Sequence, residues 1–183
     1  MADELIDIFD EDENFIGQAM KSEAWEKGLW HRGARVLIYN KKGEIFTQLR
    51  SAGKELHPGK WDVGVAGHVG AGESYVDAAL REAAEEVGLD LRKDDLEFVM
   101  ADKLEKNFDG KLEKIITATY FVRFDGHEGE IRIQEEEVQM FKFMNSDELE
   151  NERKEFPEKF MPHSENYWLQ IISGVKKRVA NGG

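Results

Sequence analysis

Alternating hydrophobic and polar positions mark a series of short segments along the chain, and this period of two is typical of β-strands with one buried face. The most β-prone segment is IITATYFVRF, at residues 115–124. Further strands are predicted at residues 5–9, 34–39, 44–49, 61–69, 96–101 and 138–143. Turn-forming sequences, KKG at residues 41–43 and NFDG at residues 107–110, predict hairpins between neighbouring strands.

Other segments follow the 3.6-residue period of helices. The best defined comes after a glycine-rich turn, and its apolar positions fall on one narrow stripe: Val76, Leu80, Ala83 and Val87. Such a stripe predicts a seam that faces the core. Helices are also predicted at residues 20–27, ended by Gly28, from Ser146 onward, and at residues 165–179 near the C-terminus. This order of elements predicts one α/β domain with a mixed sheet between helices.

Three glutamates crowd a different face of the best-defined helix. Glu82, Glu85 and Glu86 fall within an arc of roughly 100°. Their charges repel one another, and they lie toward the helix C-terminus, where the helix dipole disfavours negative charge. A solvent-exposed acidic face is the ordinary interpretation of such a run. The alternative is that a divalent cation neutralises it, and carboxylate oxygens favour Mg²⁺, Mn²⁺ or Ca²⁺.

Composition narrows the classes of function. With 183 residues, 40% of them hydrophobic, the chain is long enough for one domain with a core. It contains no cysteine, which excludes disulfides, thiolate zinc sites and a cysteine nucleophile. A formal net charge of -13 argues against a nucleic-acid polymer as partner, but it is compatible with a small phosphorylated substrate. The acidic N-terminal stretch and the lack of a long apolar segment predict a cytoplasmic protein without a membrane span.

The strongest motif of the chain lies at residues 67–89, which read GHVGAGESYVDAALREAAEEVGL. Five residues separate Gly67 from Glu73, and seven more separate Glu73 from REAAEEVGL. This spacing resembles the Nudix box at all of its fixed positions. The resemblance implies an α/β/α sandwich with a mixed sheet. It also implies a single Nudix hydrolase domain over residues 1–183, with a lead-in at 1–30, the box at 67–89 and a C-terminal helix at 164–180.

The same resemblance implies roles for the residues of the box. Members of the family hydrolyse a nucleoside diphosphate that is linked to another moiety, X. Four positions would bind Mg²⁺ or Mn²⁺: the Gly67 carbonyl, Glu82, Glu85 and Glu86. Arg81 would orient a carboxylate of the box, and Glu73 would be structural. A bound divalent cation would neutralise phosphate charge and activate water.

A general base completes the implied chemistry, and two origins stay open for it. In some members the base is the glutamate next to the arginine, here Glu82, and in others it comes from a loop outside the box. The loop candidates are the three glutamates at residues 135–137, of which Glu137 is preferred because the run precedes a predicted strand. The predicted catalytic set is therefore Arg81, Glu82, Glu85 and Glu137.

Segments around the box are similar to those of type 1 isopentenyl-diphosphate isomerase, a branch of the same superfamily. They are WHR at residues 30–32, QLRS at 48–51, HPGKWD at 57–62 and AGHVGAGE at 66–73. In the isomerase a catalytic cysteine precedes the Gly-His pair, and here that position is Ala66. Since alanine cannot transfer a proton, the chain resembles this branch without its catalytic cysteine.

Two histidines carry a second expectation from the isomerase branch. The isomerase residues that match His31 and His68 bind a metal, so this pair is a candidate second metal site, with structural histidines as the alternative. Glu113 lies near the position of an acidic metal-binding pair in the isomerase, but Lys114 breaks that pattern. Arg50 is the candidate substrate-binding residue, because a guanidinium fork suits phosphate; surface solvation is its alternative.

Three functions compete at this point. The first is a divalent-metal-dependent hydrolase that cleaves the diphosphate linkage of a nucleoside diphosphate or a nucleoside diphosphate derivative. The second is isomerisation of an isoprenoid diphosphate, which Ala66 disfavours, and the third is a non-catalytic nucleotide-binding module. The complete set of box carboxylates favours the first. Dimers are common among relatives, so a homodimer is a further expectation from the resemblance.

Overall fold

The computed structural model describes residues 3–54, 56–108 and 111–182. Within these ranges the chain forms nine β-strands and four α-helices. In chain order they are β1 (Leu5–Phe9), β2 (Phe15–Met20), α1 (Lys21–Lys27), β3 (Trp30–Tyr39), β4 (Glu44–Arg50), β5 (Trp61–Val63), β6 (Val65–His68), α2 (Tyr75–Val87), β7 (Glu97–Phe108), β8 (Lys111–Arg123), β9 (Val138–Asn145), α3 (Ser146–Glu155) and α4 (Glu165–Ala180).

Strand β3 is the centre of a nine-stranded mixed sheet. Along one edge it pairs in parallel with β8, from Trp30 opposite Lys114 to Tyr39 opposite Arg123. Along its other edge lie β1, β6 and β4 in succession, all antiparallel. The remaining strands extend the sheet outward: β2 pairs with β1, β7 with β8, and both β5 and β9 pair with β4. Residues of β3 therefore reach both faces of the sheet near its middle.

Helices cover both faces of this sheet. Ala34, Val36 and Ile38 of β3 belong to the core beneath α2. Leu37 and Tyr39 point the opposite way, into the core beneath α4. This division follows from the alternation of side chains along a strand. The architecture is the α/β/α sandwich with a mixed sheet that the resemblance implied.

Local signals set the ends of helix α2. The Ser74 side chain accepts a hydrogen bond from the Asp77 amide at its N-terminus, and Gly88 adopts the left-handed conformation at its C-terminus. The predicted apolar stripe is confirmed at Ala83 and Val87, which are buried, and at Val76, which packs against the core, whereas Leu80 is only partly buried. Small residues form most of the contact with the sheet instead, and this allows a close approach. The buried positions of α2 are Ala78, Ala79, Glu82, Ala83, Glu86 and Val87.

Two strand predictions require correction. The sequence pattern does not predict β2, which lacks clear alternation and forms by pairing with β1. Residues 61–69, predicted as one strand, are two strands separated at Gly64. There φ is 70°, and a Cβ would lie 2.1 Å from the Val36 carbonyl oxygen, so glycine is required. The predicted turn at 107–110 includes residues 109 and 110, which lie outside the described ranges.

Helix α4 closes the second face of the sandwich. Ser164 caps it by accepting a hydrogen bond from the Tyr167 amide. Its buried face packs toward the sheet and consists of Tyr167, Trp168, Ile171, Ile172 and Val175. In the part of the chain that the structure describes, no helix combines the length and apolar character needed to cross a lipid bilayer.

Candidate active site

A cleft with a volume of about 1320 Å³ lies between the box residues of α2 and the start of α4. Residues of strands β3, β6 and β8 form its floor, and its walls come from α1, α2, the loop after β4 and the start of α4. Most of the predicted site residues, which are scattered along the sequence, line this one cavity. They are Arg50, Gly67, His68, Arg81, Glu82, Glu85, Glu86 and Glu137.

Two of the three box glutamates are buried. Glu82 is 9% exposed and Glu86 is 5% exposed, whereas Glu85 is exposed. The Glu82 carboxylate packs directly against Gly67, since a Cβ built on Gly67 would lie 1.9 Å from Glu82 Oε1. The glycine that opens the box is therefore needed for space. Any side chain there would occupy the position of the carboxylate.

Burial leaves these carboxylates incompletely neutralised. The pKa of Glu86 rises to about 8, chiefly through burial and through repulsion from Glu82 and Glu137. Burial also raises the pKa of Glu82, although Arg81 opposes that shift. Gln48 Nε2 lies 3.4 Å from Glu86 Oε2 and is a weak partner for it. Clustered oxygen ligands with excess negative charge form an environment that a divalent cation stabilises.

Arg81 connects the turn of the box with its helix. It donates from Nε and Nη2 to the two oxygens of Glu73, each at 3.0 Å, which is a bidentate pair. Its Nη1 donates to Glu82 Oε1 at 2.6 Å and to Glu85 Oε2 at 3.2 Å. Nη2 also donates to the His68 carbonyl at 2.8 Å. One guanidinium thus fixes three box carboxylates relative to strand β6.

Of the three successive glutamates before β9, Glu137 is the one that lines the cleft among the described residues. Glu135 and Glu136 are exposed. The Glu137 carboxylate pairs with Lys54, which comes from the loop after β4. The main chain is tied to the same loop, since the Ser51 amide donates to the Glu137 carbonyl at 3.0 Å. This placement favours Glu137 over its two neighbours as the loop candidate for a base.

Arg50 lies at the end of β4 and also lines the cleft. Its Nε donates to the His57 carbonyl at 3.2 Å, and its Nη2 donates to the Leu56 carbonyl at 2.9 Å. Arg50 therefore holds the loop that carries Lys54. Contact between Arg50 and a substrate stays a prediction.

The two histidines of the candidate second metal site do come together. One ligand atom each from His31, His68 and Glu113 lies within 4.8 Å of the others. His31 Nδ1 lies 3.0 Å from the Leu29 carbonyl, an acceptor, so Nδ1 carries the proton and Nε2 is left as a ligand. Nε2 of each histidine is buried and has no hydrogen-bond partner among the residues that the structure describes. Burial lowers the pKa of both histidines, and a neutral imidazole is the form that binds metal.

The profile of the NUDIX domain matches residues 29–164 of the chain. The chain belongs to the Nudix family. It is 48% identical over 87 residues to an uncharacterized Nudix hydrolase of Streptomyces coelicolor, a match that covers 48% of each protein. It is 35% identical over 88 residues to isopentenyl-diphosphate Delta-isomerase 2 of Photorhabdus laumondii, which covers 48% of this chain and 50% of that protein. The matches span about half the length of these curated relatives.

A solved structure extends the comparison to nearly the whole Nudix chain. The crystal structure of DR0079 from Deinococcus radiodurans aligns with a TM-score of 0.65 and covers 95% of this chain and 98% of that one. The sequence identity is 20%, so the likeness concerns the fold. The sandwich is thus a Nudix fold over most of its length.

Nudix hydrolases use divalent metal ions, and the box of this chain suits such an ion. Glu82, Glu85 and Glu86 offer the carboxylate oxygens that hard cations prefer. Glu86 forms no ion pair with a basic side chain among the described residues. The ligand set itself stays a prediction, and the chemistry of its donors agrees with Mg²⁺ or Mn²⁺.

Sequence analysis did not identify three charged groups of this Nudix cleft. They are Lys54, which pairs with Glu137, the cleft-floor residue Arg35, and Asp62, which lies 2.8 Å from His163 Nε2. Arg35 and Asp62 each interrupt an apolar strand, and a charge inside a buried strand is a signal that could have found them. Lys54 lies in a polar loop and carries no such signal.

Proposed function

We propose that this protein is a divalent-metal-dependent hydrolase that cleaves the diphosphate linkage of a nucleoside diphosphate or a nucleoside diphosphate derivative. The observation that carries the proposal is the burial of Glu82 and Glu86 together at the cleft, beside Gly67. Two adjacent buried carboxylates are unfavourable in the protein alone. They become favourable when a divalent cation binds between them and the negative charge of a diphosphate balances the remaining charge of that cation.

The expected ion is Mg²⁺ or Mn²⁺, held by the Gly67 carbonyl, Glu82, Glu85 and Glu86. When bound, it supplies charge neutralisation at the diphosphate and activation of water. The contribution of Arg81 is to orient Glu82 and Glu85, which it holds at 2.6 and 3.2 Å. Orientation of ligands by an outer hydrogen-bonding residue is a general feature of metal sites.

Glu137 is the favoured general base. Glu82 is assigned to the cation, because its carboxylate packs against Gly67 at the box and is oriented there by Arg81. That assignment leaves the proton to a carboxylate outside the box, and Lys54 holds Glu137 in place at the cleft. Glu137 lines the cleft on a separate segment. In the reaction, water loses a proton to the base and its oxygen bonds to phosphorus, while the bridging phosphorus–oxygen bond breaks.

One assay tests the proposal directly. The protein is incubated with Mg²⁺ or Mn²⁺ and a panel of nucleoside diphosphates, nucleotide sugars, dinucleoside polyphosphates, coenzyme A and isopentenyl diphosphate. Release of phosphate or of a nucleoside monophosphate, lost in Glu86→Gln, is the expected result. Binding of Mn²⁺, followed by electron paramagnetic resonance, should weaken in the same variant.

The matched control is Glu155→Gln, an exposed glutamate at the end of α3, which should keep both activity and Mn²⁺ binding. Turnover that survives Glu86→Gln would contradict the assigned role of the box. Nucleotide binding without turnover in the unmodified protein would favour the non-catalytic module instead.

Isomerisation of an isoprenoid diphosphate is the second candidate function. The observation in its favour is the cluster of His31, His68 and Glu113, which offers two nitrogens and one oxygen to a second divalent cation. Against it stands Ala66, which has no group to transfer a proton at an allylic carbon. An allylic product from isopentenyl diphosphate would reverse this ranking. If His68→Ala binds as many Mn²⁺ ions per chain as the unmodified protein, then the His31, His68 and Glu113 cluster is not a second metal site.

Two further expectations accompany the proposed function. A homodimer and a cytoplasmic location both stay predictions. Sedimentation of the purified protein tests the first, and fractionation of cells that produce it tests the second.

A further inference from the structure

Arg35 lies in the middle of the apolar strand β3, on the floor of the cleft. In the sheet it pairs with Ala66 of β6, one residue before Gly67, and with Thr119 of β8. Antiparallel partners share a face of the sheet, so Arg35 and the short side chain of Ala66 are neighbours on the cleft side. The main chain of Arg35 therefore lies next to the strand that presents the box, and its side chain extends over the cleft floor toward α4.

Arg35 makes no ion pair with any residue that the structure describes. Its Nε is buried and has no hydrogen-bond partner within residues 3–54, 56–108 and 111–182. The guanidinium carbon lies 5.0 Å from the ring centre of Tyr167 on α4. The nearby carboxylate of Asp62 is engaged elsewhere, since its Oδ1 lies 2.8 Å from both His163 Nε2 and the Val63 amide.

The other basic residues of the cleft all have partners in the described structure. Arg81 is paired with Glu73, Lys54 with Glu137, and Arg50 with two loop carbonyls. The remaining three contact a carboxylate or a main-chain oxygen: Lys21, Lys103 and Lys106. Arg35 is thus the cleft cation among the described residues that lacks an anionic or carbonyl partner.

The charges of Asp62 and Asp102 and the hydroxyl of Tyr167 act on the Arg35 guanidinium, but no carboxylate forms a direct ion pair with it among the described residues. A partly desolvated charge in this position is stabilised further when a ligand supplies an opposite charge in direct contact. We propose that Arg35 is a substrate-binding residue whose guanidinium binds a phosphate of the substrate diphosphate. This proposal rests on the proposed function and adds a specificity-determining residue to it. Arg35 provides a planar donor fork with a permanent charge, which suits two phosphate oxygens. A substrate without a phosphate at this position loses that contact.

The test measures binding of two probes in the presence of Mg²⁺ by calorimetry: α,β-methylene-ADP, which resists hydrolysis, and methylenediphosphonate, which has no nucleoside. Arg35→Met should raise Kd for both probes by about 10- to 100-fold. The Kd values of Arg35→Lys should lie between those of the unmodified protein and of Arg35→Met, because lysine keeps the positive charge and lacks the planar donor fork. Melting temperatures in the absence of ligand establish that each variant is folded.

Arg32 supplies the matched control from the same strand. Its side chain faces the opposite side of the sheet, 3.9 Å from the ring centre of Phe9 and 5.2 Å from that of Tyr75. Arg32→Met removes an equal charge from β3 and should leave Kd within about 2- to 3-fold of the original value. An equal loss in both variants would mean that general charge, and not contact, is responsible, and would overturn the proposal.

The outcomes for Arg35 and for the hydrolase can be told apart. If the unmodified protein hydrolyses nucleotides while Arg35→Met keeps the original Kd, the hydrolase stands and Arg35 is merely a packing partner of Tyr167. If only methylenediphosphonate binds, and binds through Arg35, the phosphate contact stands and the nucleoside substrate class fails. Absence of binding for both probes would overturn the assignment of Arg35 to a diphosphate.

Discussion

The carboxylate of Glu82 occupies the space that a side chain on Gly67 would fill. A Cβ built on Gly67 would lie 1.9 Å from Glu82 Oε1 and 2.4 Å from Oε2. Strand β6 and helix α2 therefore contact each other at Gly67 and Glu82, and Glu82 is itself a candidate metal ligand. The glycine of the box has a steric role here, in addition to the carbonyl that the resemblance assigned to the metal.

Gly67→Ala should abolish most of the activity, because the methyl group forces the Glu82 carboxylate away from its position. Displacement of a catalytic group by about 1 Å can cost on the order of 100-fold in rate. Hydrolysis of the best substrate in the panel and Mn²⁺ affinity are the two measurements, and both should decline.

Gly129→Ala is the matched control, since a Cβ there meets open space. It should retain full activity and metal affinity. If Gly67→Ala also binds Mn²⁺ and turns over normally, then Glu82 is free to move aside and its position is not a determinant of the site.

The box was predictable because its residues share one helix and one turn. Helical periodicity alone places Glu82 and Glu86 on one face, and the spacing of the motif identifies that face as a candidate metal site. What periodicity missed is that this face is buried at the sheet edge rather than exposed to solvent. Burial depends on where β6 and β3 lie, and one helix does not encode it.

The other contacts of the cleft join residues that are far apart in the chain. Lys54 pairs with Glu137 across 83 positions, and Asp62 meets His163 across 101. The first contact exists because β4 pairs with β9, and the second exists because the segment before α4 runs beside β5, where Trp61 bridges to Phe160. Tertiary packing determines which strands pair in the sheet. Individual strands were therefore predictable from the sequence, but the strand that lies beside each of them was not.

Glu86→Gln should make the metal-free protein more stable at neutral pH. The pKa of Glu86 is raised to about 8 by burial and by its acidic neighbours, so the fold is destabilised by either a buried charge or a forced protonation. A glutamine at this position carries no charge to bury and needs no protonation, and its side chain has nearly the same shape as that of glutamate. The gain in free energy of unfolding in EDTA should exceed about 1 kcal/mol, measured by urea denaturation.

The control for this experiment is Glu85→Gln, because Glu85 is exposed on the same helix and its removal relieves no buried charge. Its stability in EDTA should change little. Addition of Mg²⁺ should stabilise the unmodified protein by mass action and should stabilise Glu86→Gln much less. A destabilised Glu86→Gln in EDTA would indicate that this carboxylate is already satisfied without a cation.

Arg81→Lys should reduce kcat while the protein remains folded. Lysine keeps the charge but cannot donate at once to Glu73, Glu82, Glu85 and the His68 carbonyl, as the guanidinium does. Loss of an orienting outer contact typically costs about 10- to 100-fold in activity or metal affinity. Steady-state kinetics with Mg²⁺, with kcat and KM reported separately, check the expectation.

An arginine outside the site serves as the control for that substitution. Arg92 bridges to Asp95 on the surface, so Arg92→Lys should leave kcat unchanged. Equal kinetics for Arg81→Lys and the unmodified protein would mean that charge alone, without the geometry of the fork, holds the box carboxylates.

Asp62→Asn should destabilise the protein in a pH-dependent way. Burial raises the pKa of Asp62, but His163, Arg35 and Arg50 together outweigh burial and bring it to about 2. Because the folded pKa lies below the unfolded value of 3.8, the ionised carboxylate stabilises the fold above that value, and this stabilisation is lost as pH falls toward 2. The difference in free energy of unfolding should be about 2 kcal/mol near neutral pH and should shrink in acid.

Urea denaturation of both proteins across the acidic range measures this difference. Glu23→Gln is a suitable control, because Glu23 forms an exposed pair with Lys27 that contributes little to stability. A difference that stays constant with pH would mean that Asp62 acts through hydrogen-bond geometry to His163 and the Val63 amide, which asparagine disturbs, and not through its charge. In that case the anion would not be what holds the segment before α4 against β5.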